Sequence, residues 1–146
     1  MAMRRVCILL AVAAGIGSLA ASSVKAGTPE TPSLDPLLDA IATVESQNGL
    51  RPVGDGGRAI GPYQIHRDYW RDGTRFLGGD WPYEDARNGV KAREVVRAYL
   101  LYYGKGKSLI ELARIHNGGP DGDRKASTLH YAAKIKRILV SRAATS

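Results

Sequence analysis

The sequence predicts a mainly α domain of the α+β kind, with about five helices around one core and a small Gly-rich β-hairpin after the first of them. Three observations carry that expectation. Apolar residues recur at spacings of three and four over long stretches near 34–48, 85–103, 108–118 and 128–140. Between Arg51 and Gly61 the helical period disappears, and Gly54, Gly56, Gly57 and Gly61 demand turns or a tight hairpin. No extended apolar–polar alternation and no long internal repeat occurs anywhere else in the chain.

The elements follow in order. Residues 1–26 have a basic start (Arg4, Arg5), an apolar run from Val6 to about Ala21 and a Val-Lys-Ala ending at Ala26. That is the layout of a cleavable secretory signal peptide, and the run is short and Gly-interrupted for a membrane anchor. Residues 27–33, with Pro29 and Pro32, read as a linker, and residues 34–146 as one domain. Asp35 can cap the first helix, with Pro36 at its first position. Leu34, Leu38, Ile41 and Glu45 line one face of it, and Asn48-Gly49 should stop it. A helical turn or two is expected from Ile65 to Trp70, after which Gly73 and Gly78-Gly79 break the chain. The longest helix should run from Asp85 to Tyr103. Ser108 and Glu111 make a capping box for the next, which ends at Asn117-Gly118, and a last helix spans about Thr128 to Val140.

Composition narrows the function classes. The full chain carries 21 basic and 14 acidic residues, net +7. Removing the leader, with Arg4, Arg5 and Lys25, leaves 120 residues, 18 basic against 14 acidic, net +4. Cys7, the sole cysteine, lies in the leader, so the mature chain has no disulfide, thiol nucleophile or cysteine metal site. A 120-residue chain can still bury a sufficient apolar core. The basic residues mostly interleave with acids, and with an exported address this argues against a nucleic-acid partner.

Glu45 is the most informative single residue. It lies seven residues after Leu38, two turns on, at the edge of the apolar stripe and at the helix C-terminal end. Desolvation and the negative end of the helix dipole both favour its protonated form, which a general acid requires. The competing reading is a surface glutamate at a fraying helix end. Asp55, in the turn-rich Gly54–Gly57 segment, is a second carboxylate such as glycosidases pair with their acid. The alternative there is an Asp that bonds its own turn. The Gly54–Ala59 stretch fits a loose dinucleotide-type glycine pattern but lacks a preceding strand and the βαβ context. His66, His116 and His130 do not fall at metal-ligand spacing, and no cofactor motif is present.

Three blocks in order sharpen this reading: Val44–Gly49 (Val-Glu-Ser-Gln-Asn-Gly), Gly61–Ile65 (Gly-Pro-Tyr-Gln-Ile) with Tyr69-Trp70, and Ala113–Pro120 (Ala-Arg-Ile-His-Asn-Gly-Gly-Pro). Together they resemble the invertebrate-type (i-type) lysozyme or destabilase family, within the lysozyme-like superfamily, over roughly Leu34 to Tyr131. The resemblance implies that Glu45 is the catalytic acid, with Gln64 in the cleft hairpin and Tyr63, His116 and Asn117 along the sugar groove. Tyr63, Trp70 and Tyr131 can equally be core aromatics. The family's second carboxylate is an Asp upstream of the hairpin glycine. Asp55, six residues before Gly61 and about one short of the family spacing, is the candidate for that place. Animal members are dense in disulfides, so this chain looks like a cysteine-free, bacterial-style relative. The family's isopeptide-cleaving side activity would need a serine–histidine pair, such as Ser46 with His66 or His116, which spacing alone does not supply.

The expectation is therefore a secreted or periplasmic, monomeric, cofactor-free and metal-free muramidase acting on peptidoglycan or a related aminosugar polymer, with no membrane association once the leader is removed. The basic stretch after Asp123 (Arg124, Lys125, Lys134, Lys136, Arg137, Arg142) suits an anionic wall polymer, or is a solvated helix face. Two alternatives stand beside this: a lytic transglycosylase using Glu45 alone, and an inactive wall-binding module on the same fold.

Overall fold

The computed structural model describes residues 33–47 and 53–145. The expected leader, nearly all of the linker and the Asn48-Gly49 stop lie outside them. Helix α1 (Asp35–Ser46) begins one residue earlier than a capping Asp35 would allow. Asp35 is itself helical, and the Ser33 hydroxyl accepts from its N–H at 3.1 Å. The helix ends at Ser46 because Gln47 turns left-handed (φ 52°, ψ 49°), its N–H bonding back to the Thr43 carbonyl. Leu37, Leu38, Ala40 and Ile41 are completely buried, so α1 is the central stave of the core.

The Gly-rich excursion forms three two-residue strands, β1 (Val53–Gly54), β2 (Ala59–Ile60) and β3 (Ile65–His66), antiparallel in that order. Val53 pairs with Ile60, and Ile60 in turn with Ile65. The turn between β2 and β3 starts at Gly61, at φ +78°, where a Cβ would fall on the Ala86 carbonyl oxygen. Only glycine meets both conditions. The Ser46 hydroxyl donates to the Pro62 carbonyl at 2.7 Å, tying the end of α1 to this turn.

Helix α2 (Arg67–Phe76) is longer than the turn or two expected, and Gly73 lies inside it. Gly73 does not break the helix there. A Cβ would meet the Cγ1 and carbonyl of Val95, so the glycine lets α2 and α3 approach closely. A 3₁₀ segment (Tyr83–Arg87) precedes α3 (Gly89–Tyr103), which therefore starts later than Asp85. Asn88 caps it, its Oδ1 accepting from the N–H groups of Val90 and Lys91 at 3.0 and 3.1 Å. The Ser108–Glu111 capping box opens α4 (Leu109–Gly118) as expected, and α5 (Leu129–Ala143) closes the domain. Val95, Val96 and Leu100 of α3, Ile115 of α4 and Ile135 of α5 are fully buried in one core with α1. Each such side chain contributes roughly 1.5–3 kcal/mol of burial. Among the described residues no helix is long and apolar enough to cross a membrane.

Candidate active site

The end of α1, the hairpin, the start of α2 and the end of α4 surround a cavity of about 350 Å³. Five of the six residues singled out in the sequence line it: Glu45, Asp55, Gln64, His116 and Asn117. Three short-range devices bring them together. The α1 period carries Glu45 to the last turn, the Gly61 turn aims Gln64, and α4 delivers His116 and Asn117 in its final turn.

Glu45 is largely enclosed, with 19 % of its side chain exposed, and burial pushes its carboxyl above the ordinary glutamate range. The His116 Nε2 lies 3.6 Å from its Oε1. Burial holds that imidazole down to about 4, so at neutral pH it faces Glu45 uncharged and does not draw the carboxyl toward ionisation. The Tyr69 hydroxyl sits 3.1 Å from the other ring nitrogen, Nδ1, and orients the ring. Tyr69 is itself stacked on Tyr99 with ring centroids 3.6 Å apart. The Tyr131 hydroxyl, buried and without a well-formed hydrogen bond, also faces Glu45 and favours the ionised carboxylate, as does the positive charge of Lys134.

Asp55 stands in the opposite environment. Its carboxylate is open to water, with the Arg58 guanidinium 2.8 Å from one oxygen and His66 Nε2 3.4 Å from the other. Its backbone is left-handed (φ 50°), as is that of Gln64 (φ 47°). Two of the three non-glycine residues with positive φ among the described residues thus line this cavity, as strain concentrated at a working site does. Gln64 is pinned by a 2.8 Å bond from its Nε2 to the Gly61 carbonyl. Gly54 makes room for it, since a Cβ there would collide with the Gln64 side-chain oxygen.

Tyr63, expected along the groove, is not there. It is 3 % exposed and its hydroxyl accepts from Arg93, so it belongs to the core behind the hairpin. Trp70 is likewise core, its indole N–H donating to the Trp81 carbonyl at 2.8 Å. The cavity also takes in His66 and Tyr69, neither of which is a site candidate by the sequence. The Ser46 hydroxyl is bonded to the Pro62 carbonyl, in a structural link between helix and hairpin. Among the described residues no group of three His, Cys, Asp or Glu side chains could hold a metal ion.

The chain is 40 % identical over 112 residues to the lysozyme of Ostrea edulis, covering 70 % of this chain and 78 % of that one. It is 38 % identical over 106 residues to the lysozyme of Magallana gigas, covering 67 % and 74 %. The chain belongs to the invertebrate-type lysozyme family. A crystal structure of Aeromonas hydrophila PliI in complex with Meretrix lusoria lysozyme provides a match in fold, at TM-score 0.57 and 32 % identity, covering 70 % of this chain and 88 % of that one. The mainly helical fold with its small antiparallel sheet is thus the invertebrate-type lysozyme fold. Lysozyme 1 of Crassostrea virginica is matched at 38 % identity, but the match spans only 56 % of that protein's length. No family model matches the chain.

Proposed function

We propose that the protein is a secreted or periplasmic glycoside hydrolase that cuts the N-acetylmuramic acid–N-acetylglucosamine backbone of peptidoglycan, a 1,4-β-N-acetylmuramidase. The observation that carries this reading is the pairing of an enclosed Glu45 with a solvated, cation-flanked Asp55 in one cavity. Two carboxylates in contrasting environments divide the roles of acid and charge stabiliser.

In this reading Glu45, whose burial favours the protonated form, gives its proton to the glycosidic oxygen as the C1–O bond breaks. The Asp55 carboxylate supports the positive charge that develops on the sugar ring. Water then attacks C1 and returns a proton to Glu45. Gln64 and Asn117 offer amide donors and acceptors to the N-acetyl and hydroxyl groups of the sugar. His116, neutral and held by Tyr69, positions Glu45.

Glu45→Gln keeps the shape of the site and removes the proton. Its clearing of a peptidoglycan suspension is expected to fall by a factor on the order of 100 or more, with products of the wild type carrying new reducing ends. Full activity in Glu45→Gln would sink the assignment. Products ending in 1,6-anhydro sugars would identify a transglycosylase instead, and wall binding without any cleavage would identify an inactive binding module.

A further inference from the structure

A second cavity, of about 480 Å³, adjoins the catalytic one and shares His66 with it. Its other lining includes Arg58, Arg67, Asp68 and Tyr83. A third hollow shares Arg67 and Tyr83 with the second and adds Arg71 and Trp81. Neighbouring cavities thus share lining residues from Glu45 to the start of α2.

The charges along this path are uneven. Arg58 is committed to Asp55 at 2.8 Å, and Asp68 to Arg71 at 3.1 Å. Arg67 alone among the lining cations has no ion pair and donates no hydrogen bond among the described residues. Its guanidinium lies over the Tyr83 ring, 4.3 Å from the centroid. That ring is fixed in turn, because the Tyr83 hydroxyl sits between the carbonyl oxygens of Ile65 (2.6 Å) and Arg58 (3.0 Å). A guanidinium stacked on an immobilised ring has lost much of its rotamer freedom before any ligand arrives, while its N–H edge stays open for a planar, two-oxygen acceptor. An exposed arginine with no protein partner would more commonly be a mobile surface group; the stacking and the shared cavity set this one apart.

We propose that this second cavity is a carboxylate-binding extension of the cleft, in which Arg67 grips a free carboxylate of the peptide stem carried by a peptidoglycan strand. The proposal rests on the peptidoglycan reading above. Stems branch from the muramic acid units beside the glycan chain, so a strand seated against Glu45 brings them alongside the glycan track, where a lateral anion site can engage them. Arg67 then discriminates between stem-bearing glycan and neutral aminosugar polymers such as chitin, and does so by binding, with no part in bond cleavage.

The test uses the full mature chain carrying Glu45→Gln, so that ligands are not consumed, and calorimetry with three soluble probes. These are a stem-bearing peptidoglycan oligomer, the same oligomer with its stems removed by an amidase, and chitohexaose. The stem-bearing oligomer is expected to bind about tenfold more tightly than chitohexaose, the scale of one hydrogen-bonded charge contact. Adding Arg67→Gln should bring the ratio close to one, and Arg67→Lys should restore part of it. Arg67 is exposed, so neither change threatens the fold.

A ratio near one before substitution, or one that survives Arg67→Gln, overturns the proposal. Amidase treatment frees the lactyl carboxylate of each muramic acid. Equal binding of the stripped and stem-bearing oligomers, both lost on Arg67→Gln, would place the carboxylate on the sugar and overturn the stem assignment. Discrimination without any hydrolysis by the wild type would leave this site standing and remove the hydrolase reading. Hydrolysis without discrimination would do the reverse.

Discussion

Glu45 owes its proposed acidity to what surrounds it, and the neighbours act in different directions. Burial raises its carboxyl, the neutral His116 leaves it raised, and the Tyr131 hydroxyl partly offsets the effect by favouring the ionised form. Removing that hydroxyl should therefore raise the carboxyl further. In Tyr131→Phe the alkaline limb of the pH profile of kcat/KM is expected to move to higher pH. Stability should hardly change, because the hydroxyl lacks a well-formed hydrogen bond in the fold. A limb that stays in place or moves down would show that Tyr131 has no hold on Glu45. Of this arrangement, the position of Glu45 at the edge of an apolar stripe was legible in the sequence, since the helical period sets it. The pairing with Tyr131 was not, because the two residues lie at opposite ends of the domain and meet only when α1 packs on α5.

The elements divide along the same line. The α4 capping box was readable because both partners sit within four residues, and the structure forms it, with Ser108 N–H donating to Glu111 Oε2 at 2.8 Å. The α3 start differs from the sequence expectation because Tyr83–Arg87 carries the local pattern as a 3₁₀ segment before Asn88 caps the helix. A glycine inside an apolar period looks locally like a breaker, whereas the role of Gly73 depends on Val95, a residue brought there by packing. Gly61 allows a quantitative check. Gly61→Ala adds a left-handed alanine, about 1–2 kcal/mol, and also a collision with the Ala86 carbonyl. Gly106 has a similar φ of +76° with open space around it, so Gly106→Ala should cost only the first of these. Urea midpoints should therefore fall well below wild type for Gly61→Ala and modestly for Gly106→Ala, and equal losses would refute the close approach. Because the Gly61 turn aims Gln64 and is tied to Ser46, Gly61→Ala should also depress cleavage more than its stability loss explains.

At the scale of the whole molecule, the domain of residues 34–146 contains no cysteine and must be held by packing and by its ionic contacts. The Arg93 guanidinium bridges Asp35 and Asp39, joining α3 to α1, and Arg97 reaches Asp35 as well. The hydrogen bond from Arg97, then those from Arg93 and Ser33, hold the Asp35 carboxyl well below its usual range. This exposed contact favours the fold above pH of about 4 and loses its effect below that. His116 acts at higher pH. Its folded value is about 4 against an unfolded value of about 6.5, so the unfolded chain takes up the proton first. Stability should decline as pH falls from about 6.5 to about 4, by up to about 3 kcal/mol from this residue. Glu45 works the other way, because the fold binds its proton more tightly and stability is lost as pH rises through its raised value. In Glu45→Gln, which removes that opposing titration, urea midpoints measured at pH 7, 5.5 and 4 should fall steadily, and a midpoint that rises on acidification would contradict the neutral His116.

The sequence by itself determined the helical class, the Gly-rich turn, the helix that presents Glu45 and the family. All of these are written in local periods, caps and contiguous motifs, whose physics operates within a few residues. Tertiary structure alone decided which side chains share the cavity. It turned Tyr63 into the core and Gln64 outward, set a neutral His116 against Glu45, and stacked Arg67 on Tyr83 beside the cleft. Desolvation and long-range juxtaposition exist only once distant elements have packed, and in the proposed mechanism they turn a glutamate into an acid.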